Sequence, residues 1–216
     1  MKKNIWVIAF FVLLAGAILA MWAAGRNANL PPIGGQAESE VNFTFNEDEH
    51  IKGAESPKVT IVEYGDFQCP ACAAYAPFIG GIIASYPDSV RVVYRHYPLK
   101  TIHFRAEAAA LAAVAAGYQG KFWEMHDRIF AEQNVWSVKR GDADFEKYAT
   151  EIGLDLNKFK QDINSFAAKE RVDRDFKHGI SLGINSTPTL YVNGKLFDNR
   201  QSGDALLKLV ESELAL

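Results

Sequence analysis

The stretch VTIVEYGDFQCPAC, from Val59 to Cys72, constrains the fold of this chain more than any other part of the sequence. Its apolar, β-branched first half is typical of an interior strand. A short turn follows, and then Cys-Pro-Ala-Cys. Pro70 favours a helix that begins here, because proline lacks the N–H group that would be unpaired in the first turn. The stretch therefore predicts a strand, a turn and a helix in direct succession.

The two cysteines of this stretch, Cys69 and Cys72, are the only cysteines in the chain. A thiol at a helix N-terminus lies beside unpaired N–H groups and the positive end of the helix dipole, which lower its pKa. We therefore expect Cys69 to be the nucleophile. Cys72 lies one helical turn further on, close enough to form a disulfide with Cys69 and to resolve a mixed disulfide with a substrate. The pair indicates disulfide exchange.

Two other interpretations of the cysteine pair are weaker. A closed zinc site needs four ligands, and besides this pair the chain offers only five scattered histidines. A purely structural disulfide would cross-link very little chain at this spacing. The sequence thus predicts no metal site and no organic cofactor. Four of the histidines are interpreted as capped or surface residues: His96, His103, His126 and His178.

Glu63 is the one carboxylate within the predicted strand, six residues before Cys69. Two interpretations remain open: an edge group that reaches water, or a buried acid beneath the disulfide. In the second case burial raises its pKa, and Glu63 takes the proton from the buried Cys72 thiol as that thiol attacks. We favour the second interpretation, because buried carboxylates usually have a function or a partner.

The N-terminus carries a membrane-targeting pattern. Lys2 and Lys3 precede the uncharged, apolar run from Ile5 to Ala24, whose helix of roughly 30 Å would cross a bilayer. We expect a retained single-pass anchor, with the lysines in the cytoplasm and the remaining chain outside. A signal peptide cleaved near Ala23-Ala24-Gly25 is the alternative. Either location allows disulfides to persist.

Three parts are predicted: the anchor at residues 1–24, a Pro- and Gly-containing linker at residues 25–46, and one domain at residues 47–216. Within the domain, residues 47–55 are expected to form an acidic loop, and residues 169–177 a solvated helix face. The net charge of −3 does not favour a nucleic-acid partner.

Periodicity predicts a second strand from Val90 to Tyr97 and then a helical block over about residues 100–182. Sheet returns at Thr189 to Val192, with Asn193-Gly194 as a type I′ turn signal before a short paired strand. Pro188 precedes this hairpin. It either simply begins the strand or forms a cis bond with Thr187 that aims the backbone of Thr187 at a neighbouring site.

Three segments together resemble the DsbA-like thiol:disulfide oxidoreductases: VTIVEYGDFQCPAC, FWEMHDRIFAEQ and NSTPTLYVNGKLF. The resemblance spans about residues 47–213. It implies an α/β, thioredoxin-like fold with a helical insertion, here preceded by the predicted transmembrane helix.

For the site, the resemblance implies a nucleophilic Cys69, a resolving Cys72 and a buried acid at Glu63. It also implies a cis proline at Pro188, whose loop, including Thr187, packs against the disulfide and binds the substrate backbone. Substrate-binding residues are accordingly expected at Pro70, Ala71, Thr187 and Pro188. The expected partners are unfolded or cysteine-containing proteins outside the cytoplasm, and a membrane redox protein that recharges the disulfide.

Ala71 departs from the strongly oxidising members of this family, which carry histidine at that place. Without that donor the pKa of Cys69 should be higher and the disulfide less oxidising, nearer the middle of the range from about −120 to −270 mV. The direction of exchange stays open between oxidase, reductase and isomerase. A peptide-binding chaperone with an incidental disulfide, and a thiol peroxidase, are the alternatives from other classes. No separate dimerisation domain is visible, which disfavours a dimeric isomerase.

Overall fold

A computed structural model describes residues 40–138 and 143–216 of the chain. Its centre is a five-stranded sheet with the strand order β1-β3-β2-β4-β5. The strands are β1 (His50–Gly53), β2 (Val59–Gly65), β3 (Val90–His96), β4 (Thr189–Val192) and β5 (Lys195–Phe197). β2 and β3 are parallel, whereas each other neighbouring pair is antiparallel. β2 is therefore an interior strand, as its sequence predicted.

Helices surround the sheet, and six of those described lie between β3 and β4. The helices are α1 (Pro70–Ser85), α2 (Ala106–Gly117), α3 (Phe122–Ala131), α4 (Gln133–Trp136), α5 (Ala143–Glu151), α6 (Leu156–Asp162), α7 (Phe166–Ser181) and α8 (Gly203–Leu214). α1 continues past Pro77. Asp155 caps α6 by accepting hydrogen bonds from the N–H groups of Asn157 and Lys158. The helical block between β3 and β4 is confirmed.

Strand alternation sends neighbouring residues of β2 to opposite faces of the sheet. Ile61 packs against the apolar side chains of α1 and α8, and Glu63 lies on the same face beside α1. Val62 and Tyr64 belong to a separate cluster on the other face. Because Glu63 pairs in register with Tyr94 and Leu190, it lies in the middle of the sheet.

The helical block packs around α2, whose alanines are almost all buried. Small side chains let neighbouring helices approach closely, so α2 forms the centre of a cluster that also contains Phe67, Cys72 and Tyr94. The block therefore shares its core with the Cys-containing loop.

α7 covers the other face, and here one prediction was wrong. Residues 169–177 do not form a wholly solvated face, since Arg171 and Asp175 are buried and form an ion pair with each other. Asp175 also accepts the N–H of His96 at 3.0 Å. A charged run hides such an inward stripe, because charge is itself the usual sign of exposure.

A second prediction was wrong at the acidic loop, because residues 50–53 of that stretch form β1. The strand is only four residues long, and with a single large apolar residue it shows no alternating pattern that would predict a strand. The predicted hairpin turn is confirmed: Asn193 and Gly194 have φ values of 48° and 81°, the two positive values that a type I′ turn requires.

Among residues 40–138 and 143–216, no helix combines the length and apolar character needed to cross a membrane. The predicted anchor at residues 5–24 and most of the predicted linker lie outside the described residues.

Candidate active site

The loop between β2 and α1 places Cys69 at the N-cap of the helix. Cys69 has an extended conformation, with φ −74° and ψ 121°, and Pro70 is the first helical residue. The Cys69 N–H donates to the carbonyl of Asp66 at 3.0 Å, and the Cys69 carbonyl accepts the N–H of Ala73 at 3.2 Å. This geometry follows from the sequence, because a short turn and a proline at the first helical position leave the thiol at the helix N-terminus.

Cys69 is only 7% exposed, and in its thiol form Sγ donates to the carbonyl of Thr187 at 3.3 Å. Hydrogen bonding from the Cys72 thiol is the main reason why the pKa of Cys69 falls from 9.0 to about 5. Burial acts in the opposite direction, while Thr187 and the N–H groups of Ala71 and Cys72 lower the pKa further. Cys69 is thus a thiolate at neutral pH.

Cys72 has the opposite character. It is fully buried, and its Sγ accepts the Asp66 N–H at 3.4 Å. Burial raises the pKa of Cys72 well above its usual value, and hydrogen bonding to Cys69 and the charge of Glu63 raise it further. The two cysteines therefore differ strongly in acidity.

Glu63 is 2% exposed, so of its two interpretations the structure matches the buried acid rather than the edge group. Burial raises its pKa to about 8, with a further contribution from the charge of Cys69. Its Oε1 atom has no hydrogen-bond partner within the described part of the chain. Glu63 is therefore a neutral acid at pH 7, and once ionised its charge raises the pKa of Cys72, in addition to the larger effect of burial.

The Thr187–Pro188 peptide bond is cis. β4, which begins at the next residue, pairs with β2, so Thr187 arrives directly beside Cys69. Pro70 and Ala71 are exposed, whereas Thr187 and Pro188 are buried. The structure thus brings the residues predicted to bind substrate together around one thiol.

Sequence reasoning missed Asp66, which holds the loop in place. Its carboxylate accepts the N–H of Gln68 at 2.7 Å, the N–H of Leu99 at 2.9 Å and Nδ1 of His103 at 2.7 Å. An Asp that bonds the N–H two residues later is a common turn device, so its place after the strand was a usable signal.

Gln133 was missed as well. Its amide nitrogen donates to the carbonyls of Phe67 at 2.7 Å and Cys69 at 3.0 Å. Gln68 makes a second link to the helical block, because it donates to the carbonyl of Ser137 and accepts the N–H of Arg105. The helical insertion therefore holds the cysteine loop through hydrogen bonds.

The histidines differ from their prediction in part. His103 and His178 pair with Asp66 and Tyr64. His96 and His126, by contrast, lie in the core. Neither was marked by metal spacing, and within the described residues no group of three or more His, Cys, Asp or Glu side chains is arranged to hold a metal ion. Phe122 and Phe130 are core residues.

This architecture, a cysteine pair at a helix N-terminus beside a cis-proline loop on a mixed sheet, defines a thioredoxin-like fold. The thioredoxin family model Thioredoxin_4 matches residues 45–212, and the chain belongs to this family.

Solved structures agree with this fold. A thioredoxin-like oxidoreductase from Silicibacter pomeroyi DSS-3 is 25% identical and superposes with a TM-score of 0.66, over 79% of this chain and 95% of that one. BdbD from Bacillus subtilis, in its oxidised form, is 22% identical with a TM-score of 0.70, over 78% and 94% of the two chains.

A curated relative is much longer than this chain. A Na⁺/H⁺ antiporter NhaA 1 of Salinispora arenicola is 34% identical over 218 residues, which is 96% of this chain but 33% of that protein. The chain thus spans about a third of the relative's length.

Proposed function

We propose that this protein is a thiol:disulfide oxidoreductase that forms or exchanges disulfides in proteins outside the cytoplasm, through Cys69 and Cys72. The observation that carries the proposal is the difference in acidity within the pair. The pKa of Cys69 is lowered to about 5, while that of Cys72 is raised well above its usual value. A low pKa makes Cys69 a good leaving group, and a high pKa keeps Cys72 protonated until it reacts.

In the first proposed step, a substrate thiolate attacks Sγ of Cys69 in the disulfide form. The bond between the two Sγ atoms breaks, and the electron pair goes to Cys72. Because the pKa of Cys72 is well above its usual value, this sulfur takes up a proton. Glu63, neutral at pH 7 with a pKa of about 8, is the acid that supplies it.

In the second step, another substrate thiolate attacks the substrate sulfur of the mixed disulfide. Cys69 leaves as a thiolate, which its lowered pKa stabilises. The substrate dithiol is oxidised and the protein disulfide is reduced, so electrons balance. In the reverse direction Cys72 attacks, and Glu63 takes its proton in the fraction of molecules in which Glu63 is ionised.

Exposed apolar side chains, next in sequence to residues that hydrogen-bond the cysteine loop, support a polypeptide substrate. Ile102 and Phe104 are 70% and 66% exposed, and Val138 is 76% exposed. Phe104 and Val138 directly adjoin Arg105 and Ser137, which hydrogen-bond Gln68 in the cysteine loop. Extended, unfolded chains that present a cysteine and apolar neighbours suit such side chains.

A mid-range potential belongs to the same proposal. The pKa of Cys69, about 5, lies between the values of about 3.5 and 7 that accompany strongly oxidising and reducing members of this superfamily. Since a stabilised thiolate favours the reduced form, we expect a potential between about −120 and −270 mV. Ala71 contributes to this position by offering no side-chain donor.

The membrane location is a further part of the proposal. It is supported by the apolar run at residues 5–24 behind two lysines. The catalytic domain would then act on the outer side, with a membrane redox protein recharging the disulfide. Protease treatment of cells whose outer envelope has been removed should degrade the domain if it lies outside the cytoplasmic membrane and leave a cytoplasmic one intact.

Equilibration of the full-length protein with glutathione buffers, followed by counting of the trapped thiols, tests the function. A potential above about −180 mV supports net disulfide donation, and one below about −230 mV supports a reductase or shuttle.

A refolding assay tests the exchange itself. Reduced, unfolded ribonuclease serves as the substrate, and Cys69→Ser is the control. Refolding at the same rate with Cys69→Ser would contradict the proposal and favour a chaperone. Peroxide consumption above that of free thiol would favour a peroxidase.

A further inference from the structure

A small cavity is lined both by the buried acid and by side chains that reach the surface. Glu63 and Gly80 of α1 are among its lining residues. So are Lys52 and Asp127, whose side chains are 40% and 62% exposed. The space open to the centre of a water molecule is about 20 Å³, which is enough for one water.

His126 of α3 lines the same cavity. Its Nε2 atom is buried and has no hydrogen-bond partner within the described residues, and the same holds for Oε1 of Glu63. Buried polar atoms are nearly always paired. Two such atoms in one cavity with room for a water therefore favour a water that bridges them.

Asp127 orients the imidazole. Nδ1 of His126 donates to Oδ1 of Asp127 at 2.8 Å, which leaves the Nε2 lone pair free to accept a proton. Burial lowers the pKa of His126, against the raising effect of Asp127, so the ring is neutral at rest. Partial burial raises the pKa of Asp127, but the hydrogen bond from His126 helps to hold that pKa below its usual value.

Other titratable groups around His126 do not compete for this role. On β1, Lys52 lies 3.5 Å from Asp127 and lowers the pKa of His126. Tyr94 meets the imidazole edge-on at 5.1 Å between ring centroids, and burial raises its pKa well above 10.0. Burial lowers the pKa values of His50 and His96 well below 6.5, so both rings are neutral. The α1 residues that line the cavity carry no ionisable group.

We propose that His126, oriented by Asp127, relays protons between Glu63 and solvent through this cavity. The proposal rests on the proposed function, in which Glu63 gains and loses one proton in each exchange cycle. When Glu63 takes a proton from Cys72, it passes that proton through the cavity water to Nε2 of His126. The imidazolium then releases its Nδ1 proton to solvent beside Asp127. In the oxidising direction the same atoms run in reverse.

The test compares single-turnover exchange rates of full-length variants with reduced, unfolded ribonuclease. His126→Ala should slow the step that requires Glu63 to turn over by about 10- to 100-fold, within or just below the usual range for a positioned acid–base group. The equilibrium constant with glutathione should not change, because a relay alters rates only. Added imidazole should restore the rate, since the truncated side chain leaves room for it.

His96→Ala is the matched control, because His96 is equally buried and does not line the cavity. It should exchange close to the wild-type rate and show no response to imidazole. A loss of rate in His126→Ala that imidazole does not restore, or an equal loss in His96→Ala, would overturn the relay.

Asp127→Asn keeps the test decisive if the buried variants do not fold, because Asp127 lies at the surface. It should slow exchange by a smaller factor and flatten the pH profile of the rate, with an unchanged equilibrium constant. A wild-type rate at every pH would overturn the proposal. Absence of exchange in the wild-type protein itself would instead contradict the proposed function.

Discussion

The two faces of β3 bury polar groups in opposite ways. On the face toward α7, Arg95 is surrounded by partners. It donates to Glu49 at 2.7 Å, to the carbonyl of Thr44 at 2.8 Å and to the hydroxyl of Tyr64 at 3.1 Å. Every polar atom in this set has a hydrogen bond, so the desolvation of the charges is compensated.

On the face toward α1, the neighbouring residues of the same strand have no such partners. The hydroxyl of Tyr94 and both ring nitrogens of His96 are buried without a hydrogen bond in the described part of the chain, as is Oε1 of Glu63 on β2. Unpaired groups of this kind cost stability. They occur on the face that carries the cysteine pair.

The pKa values of Asp175 and Glu63 show how large this difference between the two faces is. Burial raises the pKa of Asp175 to about 6, with Arg171 and the His96 N–H acting against it. Burial raises the pKa of Glu63 to about 8, and nothing opposes it. The partners on the α7 face keep a carboxylate ionised, whereas their absence on the α1 face keeps an acid protonated. The sheet thus has a paired, ionised carboxylate on its α7 face and an unpaired, protonated acid on its α1 face.

Removing the ion pairs of Arg95 on the α7 face should have the largest effect on stability. Arg95→Leu removes the shorter of the two ion pairs of the buried Glu49 carboxylate, at 2.7 Å, and leaves, among the described residues, only the contact with Arg171 at 3.4 Å. It should lower the free energy of unfolding by about 3 kcal/mol. Urea unfolding of the full-length protein measures this. Arg95→Leu combined with Glu49→Leu should recover much of the loss, because no charge is then left alone. An equal loss in the single and double variants would show that packing, rather than pairing, matters here.

Glu63→Gln tests the unpaired face through pH. The folded pKa of Glu63 is about 8, above its unfolded value of about 4.5, so the folded state holds more protons between these values. Ionisation therefore costs the wild-type protein stability as pH rises from 4.5 to 8, and the cost is constant above that. Glu63→Gln should be more stable than wild type by a few kcal/mol at pH 8 and nearly equal at pH 4.5.

Urea midpoints of the two proteins in the reduced form, taken across this pH range, give the difference. Because Gln is close to Glu in size, the comparison isolates ionisation from packing. Parallel stability curves for wild type and Glu63→Gln would mean that the pKa of Glu63 is the same in the folded and unfolded states.

How much of this site the sequence could predict depends on how local its causes are. Cys69 at the helix N-cap, the turn at Asn193-Gly194 and the strand after Pro188 each follow from the conformational preferences of neighbouring residues, and all three were predicted. Their signals lie within a few residues, so no tertiary information was needed.

The missed features depend on packing between distant segments. Gln133 reaches the Cys69 carbonyl from 64 residues away, and one glutamine near the end of a helix looks like any surface residue. No sequence pattern marks His126, and only the fold shows that it lines the same cavity as Glu63. Strand β1 was missed because its pairing with β3, rather than its own composition, makes it a strand.

Gln133→Leu removes a hydrogen-bonded amide beside the cysteine loop. Its loss leaves the carbonyls of Phe67 and Cys69 without their hydrogen bonds from the helical insertion, and should cost about 1–3 kcal/mol of stability. The thiolate of Cys69 should also titrate differently, because the loop that positions it is released. Thiolate absorbance in the ultraviolet follows that titration. Gln133→Glu is the companion variant, and it should shift the pKa of Cys69 upward by adding negative charge.

Two Tyr→Phe variants should have the smallest effects on stability, and they compare the two faces most directly. Tyr94→Phe removes a buried hydroxyl that has no partner, so the variant should be as stable as wild type or more stable by about 1 kcal/mol. Tyr97→Phe removes a hydroxyl that donates to the carbonyl of Ile184, and should cost about 1–2 kcal/mol because that carbonyl loses its partner. The chemical change is identical, so urea unfolding of the two variants compares pairing alone. Equal losses in both would mean that the Tyr94 hydroxyl is satisfied by water, and that the α1 face is hydrated rather than unpaired.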